Sequence, residues 1–263
     1  MYAFAYERPA ALADAVAKIS AGGQALAGGQ TLIASLKQRL AQPSSLVDLA
    51  AVSELSGIKK EGNTLVIGAM TRHEFVADSA EVKASIPGLA DLAGNIGDRQ
   101  VRAMGTMGGS VANNDPAACY PSAVLALGAT VQTNKRKIAA DDFFQGMYTT
   151  ALEEGELITA IHFPLAKKSA YAKFRQPASR FALVGVFVAQ TDQGVRVAIT
   201  GAGNGVFRHA GLEAALSKSF TPEAVEGVSI DAGELNGDLH ATAAFRAQLI
   251  KVQTQRAVQQ ANA

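Results

Sequence analysis

Ala27-Gly28-Gly29-Gln30-Thr31-Leu32-Ile33 and Gly105-Thr106-Met107-Gly108-Gly109-Ser110, the latter followed by Ala112-Asn113-Asn114-Asp115-Pro116, decide how this chain is read. Each lies between a strand-like or extended run and a helical one. Glycine lets backbone approach a ligand closely, and successive unpaired N–H groups attract anions. Neither segment carries the lysine of a nucleoside-triphosphate loop. Taken alone, the first glycine pair reads equally as a tight strand-to-helix turn. Gln30 and Thr31 add side-chain donors at a helix start, where the dipole favours negative charge. In the second segment Thr106 and Ser110 flank the glycines, and Asn113, Asn114 and Asp115 follow. Polar groups so concentrated between apolar segments suit phosphate and sugar oxygens better than a plain solvated loop. Two such loops predict a cradle for a diphosphate that the chain holds rather than cleaves.

Working outward, residues 10–21 carry Leu12, Ala13, Val16 and Ile19 on one face of a helix. Gln24 to Ala27 is a short strand, and Thr31 is placed to cap a helix from Leu32 to about Leu40, ended before Pro43. Ser45–Leu49 and Thr64–Gly68 read as strands, with Thr71 capping a helix over 72–79. Ile86–Gly94 and Pro121–Leu127 read as helices, and Ala129–Thr133 and Leu157–Phe163 as strands. Lys167-Lys168-Ser169, polar and just past Pro164, is the linker candidate. Beyond it Ala182–Gln190 and Val195–Thr200 form a hairpin, followed by helices at 207–218, 222–226 and from Asp238 onward. This pattern predicts an α+β chain with a small C-terminal antiparallel sheet and helices on one face. No internal repeat or low-complexity tract is present.

The 263 residues allow one large domain or two smaller ones, and the apolar fraction of 48% is enough for a real core. A net charge of +1 gives no electrostatic argument for nucleic acid or a membrane surface. Cys119 is the one cysteine, so no internal disulfide and no cysteine metal cluster can form. The histidines lack ligand spacing, and no metal site is expected. The start has neither the basic nor the apolar region of a signal peptide, and a cytoplasmic location, with a peripheral place at the inner face of the membrane as a variant, is the expectation.

Thr200-Gly201-Ala202-Gly203-Asn204-Gly205 resembles the opening of a dinucleotide fingerprint, but Val206 stands where the third glycine belongs and no parallel strand–helix–strand unit surrounds it. It reads as a sheet-edge turn. Cys119 reads as a small packing residue before it reads as a reactive thiol. No Ser/His/Asp or Cys/His pattern and no carboxylate pair supplies an acid–base or nucleophilic set, so no catalytic residue is assigned.

The two glycine segments, with Val111 to Ala118 continuing the second, resemble the flavin-binding medium subunit of molybdenum hydroxylases. The closest likeness is to the aerobic carbon monoxide dehydrogenase type, with a more distant one to the flavin domain of xanthine dehydrogenases. Glu156-Leu157-Ile158 through Phe163-Pro164, Tyr171-Ala172-Lys173-Phe174, Ala198 to Gly203 and Asp238 to Thr242 with Phe245-Arg246 fit the same pattern, so the likeness spans nearly the whole chain. The resemblance implies a two-lobed FAD-binding domain of the vanillyl-alcohol oxidase and molybdopterin dehydrogenase type over residues 1–166, and a smaller C-terminal domain over 169–263. It implies that Ala27, Gly28, Gly29, Gln30, Thr31, Leu32 and Ile33 wrap the FAD diphosphate through backbone N–H groups. Thr106, Met107, Gly108, Gly109 and Ser110 do the same from the other lobe. Ile96 packs near the flavin ring, Ile158 adds an apolar contact, Lys173 reaches the cofactor, and Asp115 bonds ribityl or ribose hydroxyls. Where the family carries an acidic residue after Asp-Pro-Ala-Ala, this chain has Cys119, a much weaker acceptor for FAD hydroxyls. Some reductase relatives hold a four-iron cluster in this subunit, and one cysteine cannot ligate one.

By the same resemblance the chain is an electron-transfer subunit. Its partners are a large molybdenum subunit with molybdopterin and a small subunit with [2Fe–2S] clusters, in a dimer of heterotrimers. Electrons leave through FAD to an external acceptor, a quinone or NAD. Two rival readings remain. A self-contained flavin oxidase or dehydrogenase would need a larger substrate domain than the C-terminal segment offers. A scaffold subunit that has lost FAD would be colourless.

Overall fold

The computed structural model describes residues 1–263. Strands Ala5–Glu7, Ser45–Asp48 and Gln24–Leu26 form a three-stranded parallel sheet with Ser45–Asp48 in the centre. Helix Leu12–Ser20 covers it, placing Ala15 and Ile19 on Val47 and Leu49. This is the first lobe. The second is a five-stranded antiparallel sheet in the order Ile58–Glu61, Thr64–Gly68, Ile158–Pro164, Thr130–Thr133 and Lys137–Ala139. Between its second and third strands in sequence run short helices, among them His73–Asp78, Ala80–Ser85, Pro87–Gly94, Arg99–Met104, Met107–Asn113 and Tyr120–Ala126. All but Arg99–Met104, which has no buried residue, bury apolar faces with this sheet in a core of 31 residues.

The start of the central strand Ile158–Pro164 is fixed by a clamp. Arg136 Nε and the Thr133 hydroxyl donate to Glu156 Oε1 at 3.0 and 2.7 Å, and the Glu153 N–H donates to Oε2 at 2.8 Å. Burial alone would raise this carboxyl, but the bonds from Arg136, Glu153 and Thr133 bring it down to about 2.

The remaining residues build a four-stranded antiparallel sheet, Lys168–Arg175, Ala182–Thr191, Gly194–Thr200 and Phe207–Arg208. Strand alternation divides it between two cores. Ala170, Ala172, Val184, Val186, Val188, Val197 and Ile199 pack under helices Ala210–Lys218 and Ala243–Asn262. Tyr171, Phe187, Ala189 and Ala198 point the other way and join the core of the second lobe. The sheet's own helices thus cover one face, and the second lobe covers the other. This explains why Ala182 to Ala189 is one unbroken apolar run, since a strand buried on both faces has no solvent side to alternate with. Arg246, 3% exposed, ties the layer together by donating to the carbonyls of Leu183 and Gly201 at 2.7 and 2.8 Å and to Asp238 Oδ2 at 2.8 Å.

Several local expectations change. Lys168 and Ser169, read as linker, open a strand, because Lys168 pairs with Gln190 and Ser169 with Ala189. Thr71 caps no helix; its hydroxyl exchanges hydrogen bonds with the backbone of Gly57, and helix His73–Asp78 has no side-chain cap. Thr31 makes no side-chain cap either, and its helix ends at Lys37, just before Arg39 at a φ of 60°. Phe207 and Arg208 are strand, and the last helix starts at Ala243 under the Thr242 hydroxyl rather than at Asp238.

Candidate cofactor site

Strand Gln24–Leu26 delivers the first glycine pair to the edge of the second lobe. Gly29 has a φ of +68°, in the left-handed region that glycine enters at least cost. A Cβ on Gly28 would stand 2.2 Å from the Met104 carbonyl oxygen and 2.7 Å from Gly105 Cα. A Cβ on Gly109 would meet the Ala27 Cβ at 3.4 Å. The two glycine segments therefore touch, and the first depends on glycine for the approach.

Their backbone donors are in opposite states. The N–H groups of Ala27, Gly28, Gly29, Gln30 and Thr31 donate to nothing within the protein. Gln30 Nε2 donates to the Gly28 carbonyl at 3.1 Å, which holds the loop open without consuming those donors. Five successive free N–H groups form a concave anion site. In the second segment the donors of Gly105 and of Met107 to Ser110 are spent, and only that of Thr106 is free. Met107 donates to the Thr71 carbonyl at 3.0 Å, Gly108 to Ala69 at 2.8 Å, Ser110 to Thr106 at 3.1 Å and Gly109 to the Thr106 hydroxyl at 3.3 Å. Met107 to Ser110 form the first turn of a helix rather than an open loop. Its glycines serve packing: a Cβ on Gly108 would lie 2.5 Å from that of Ala69, and one on Gly105 would lie 2.5 Å from His73 Nε2. This geometry leaves the first loop as the open cradle, with the Thr106 N–H as the unspent backbone donor of the second segment.

A second cluster lies where helix Pro87–Gly94 ends. Lys173 Nζ donates to the Asn95 carbonyl at 2.7 Å and lies 3.4 Å from Cys119 Sγ. Arg175 donates to Asn95 Oδ1 at 2.6 Å, and Arg102 to the Ile96 carbonyl at 3.0 Å. These cations are bonded to amide and carbonyl oxygens rather than to carboxylates, so they leave a positive field suited to an anionic ligand. Ile96, Cys119 and Lys173 are thus brought together as expected positions, with Ile96 half-buried and Cys119 5% exposed. Ile158 is 3% exposed inside the same core on which Ile96 packs. Beneath Cys119, burial pushes the Tyr120 and Tyr171 hydroxyls well above their usual range.

Asp115 Oδ1 accepts from the Ala117 N–H at 2.8 Å and its Oδ2 from the Tyr148 hydroxyl at 3.2 Å, which shapes its own loop and leaves each oxygen a further lone pair. That loop is braced by the run read as a sheet-edge turn. Gly201, at a φ of +82°, donates its N–H to the Pro116 carbonyl at 2.7 Å, and the Thr200 hydroxyl lies 2.7 Å from the carbonyls of Pro116 and Ala118. Sequence reasoning missed Asn95, Arg102 and Arg175. Arg175 had a signal, since it sits two residues from Lys173 on the same face of one strand.

Loops in contact, five free N–H groups and unneutralised cations are what a dinucleotide diphosphate requires, and the family assignment agrees. Residues 2–166 match the FAD binding domain in molybdopterin dehydrogenase, and the chain belongs to that family of FAD-binding oxidoreductase subunits. It is 34% identical to the carbon monoxide dehydrogenase medium chain of Hydrogenophaga pseudoflava over 94% of each protein. It is 40% identical to the corresponding chain of Afipia carboxidovorans over 73% of this chain and 70% of that one. Among solved structures, reconstituted CO dehydrogenase from Oligotropha carboxidovorans superposes with a TM-score of 0.88 at 32% identity, covering 99% of this chain and 98% of that one.

Proposed function

We propose that this chain is the electron-transfer subunit of a molybdenum-containing hydroxylase or dehydrogenase. It would pass electrons from the [2Fe–2S] clusters of a small partner subunit to an external acceptor, a quinone or NAD. Substrate is oxidised in a separate large subunit that carries molybdopterin, and the assembly is a dimer of heterotrimers. FAD, when bound, supplies the redox chemistry, while the protein supplies position and electrostatics.

The observation that carries the reading is the unspent N–H run of Ala27–Thr31 set against Met104 and Gly105. In this account those donors hold the FAD diphosphate, with the Ser110 hydroxyl beside them. Leu32 and Ile33 continue the loop into its helix. Thr106, Met107, Gly108 and Gly109 form the rigid wall that keeps the first loop in place. Ile96 and Ile158 give the apolar side of the site, and Lys173 gives its cation. Asp115 orients the loop that ends at Cys119. We place the boundary between the two-lobed FAD domain and the C-terminal domain at residues 166–169.

The test uses the chain with and without its partners. The purified chain should carry a flavin absorbance yet show no turnover of substrate. In the intact complex, substrate should bleach the flavin band. Substrate turnover by the chain alone would overturn the proposal.

A further inference from the structure

Cys119 stands just ahead of helix Tyr120–Ala126, where the Ser122 hydroxyl donates to its carbonyl at 2.7 Å and pins the residue. Its Sγ faces strand Lys168–Arg175 of the C-terminal sheet, 3.4 Å from Lys173 Nζ. The function proposed above gives this sulfur nothing to do. Two donors nevertheless converge on it.

The first is the half-buried Lys173 ammonium, whose other contact is the Asn95 carbonyl at 2.7 Å. Neither contact is a carboxylate, so its charge stays uncompensated. The second is the Tyr171 hydroxyl. Tyr171 and Lys173 lie on the same face of their strand, and Gly185 pairs with Lys173 across the sheet. A Cβ on Gly185 would stand 2.4 Å from the Tyr171 hydroxyl oxygen, so the tyrosine leans along the strand to the level of Lys173. It is 4% exposed and its hydroxyl has no partner. Burial first, and then the Cys119 sulfur beside it, push that hydroxyl well above its usual range, so it remains a proton donor. Thiol sulfur is a poor acceptor for either group. A buried hydroxyl left empty is costly until something accepts from it. An oxygen anion on Sγ would accept from both donors.

We propose that Cys119 is a peroxide-modification site: its thiolate is oxidised to a sulfenate whose oxygen is held between the Lys173 ammonium and the Tyr171 hydroxyl. The oxidant is hydrogen peroxide, scarcely larger than water, and Cys119 keeps 5% of its surface open to it. Sulfur attacks one peroxide oxygen, and the S–O bond forms as the O–O bond breaks. Sulfur is oxidised and the peroxide is reduced. The departing hydroxide takes the proton of the new sulfenic acid and leaves as water. Thiolate and peroxide thus give sulfenate and water. A charge-assisted hydrogen bond from the ammonium stabilises the sulfenate as it forms. Cys119 is the one cysteine, so no internal disulfide can follow, and the sulfenate persists until an external thiol reduces it. The inference stands on these three side chains and needs no flavin.

The test exposes the full-length chain, folded or unfolded in urea, to dilute hydrogen peroxide. Each sample is quenched under denaturing conditions into dimedone, which traps sulfenate, and peptide mass spectrometry reads the label at Cys119. A structural buried cysteine reacts only after unfolding. Here the folded chain should label faster than the unfolded one, and dithiothreitol added before the dimedone should reverse the oxidation. Lys173→Met should slow labelling about ten-fold or more. Tyr171→Phe, which keeps the ring, should slow it in the same direction and carries the test if the first variant misfolds. Faster labelling of the unfolded chain, an oxidation that dithiothreitol does not reverse, or wild-type rates in both folded variants would each overturn the proposal.

Discussion

Cys119 lies 3.4 Å from the Lys173 ammonium, at the position where the family resemblance leads one to expect an acidic residue. A thiol there accepts only weakly, so the Asn95 carbonyl is the strong acceptor that holds Lys173. Replacing Cys119 with Asp would pair the lysine and restore an acceptor for cofactor hydroxyls. The expected outcome is slower FAD loss on dialysis, read as flavin absorbance per protein; no change in retention removes the idea that a contact is missing. His73 sets a second expectation. It sits beneath Gly105, donating its backbone N–H to that carbonyl at 3.0 Å, and burial, with Arg102 nearby, lowers its pKa to about 4. The unfolded imidazole titrates near 6.5, so the folded state resists a proton that the unfolded state accepts. Stability should be fully present above pH ~6.5 and fall by up to about 3 kcal/mol as pH drops from ~6.5 to ~4. Urea unfolding across that range should show the slope in the wild-type chain and its loss in His73→Leu.

Among the elements, strand Ala182–Thr191 couples the C-terminal sheet to the second lobe, and Phe187 is its fully buried contact on that side, with its ring 6.4 Å from that of Tyr171. Phe187→Ala should cost about 3–5 kcal/mol, read as a lower thermal midpoint. A smaller cost would mean that the two cores are less continuous than their packing implies. This strand also shows what the sequence could convey. Its length and apolar character were legible as a hairpin arm, but which core each side chain joins was not, because both faces are buried and no polar alternation marks them. The strands around the first glycine loop were legible for the opposite reason, since short apolar runs ended in glycine. The second glycine segment was misjudged in kind. Glycine-rich sequence reads as open loop, yet at Gly108 it serves close packing against Ala69 and the segment is helical. Likewise Lys167 to Ser169 look like a linker by composition, whereas pairing with Gln190 and Ala189 is a tertiary fact that no local pattern contains.

Across the whole molecule, the first lobe presents free donors, the second supplies the wall and the C-terminal sheet contributes Lys173 and Arg175. The proposed site combines the three contributions. The family could be read from the glycine segments, but the division of labour between them could not, because it depends on which N–H groups the tertiary structure has already consumed. No helix is long and apolar enough to cross a membrane. The central claim is that FAD is held against the free N–H groups of Ala27–Thr31, and it depends on a backbone approach that a Gly28 side chain would block at 2.2 Å. The most direct measurement is the FAD released per chain from the wild-type protein and from Gly28→Ala, each checked for fold by circular dichroism. The account predicts near-stoichiometric FAD in the wild type and its loss from a folded Gly28→Ala chain. A flavin-free wild type, or a variant that keeps its full complement of FAD, would contradict it.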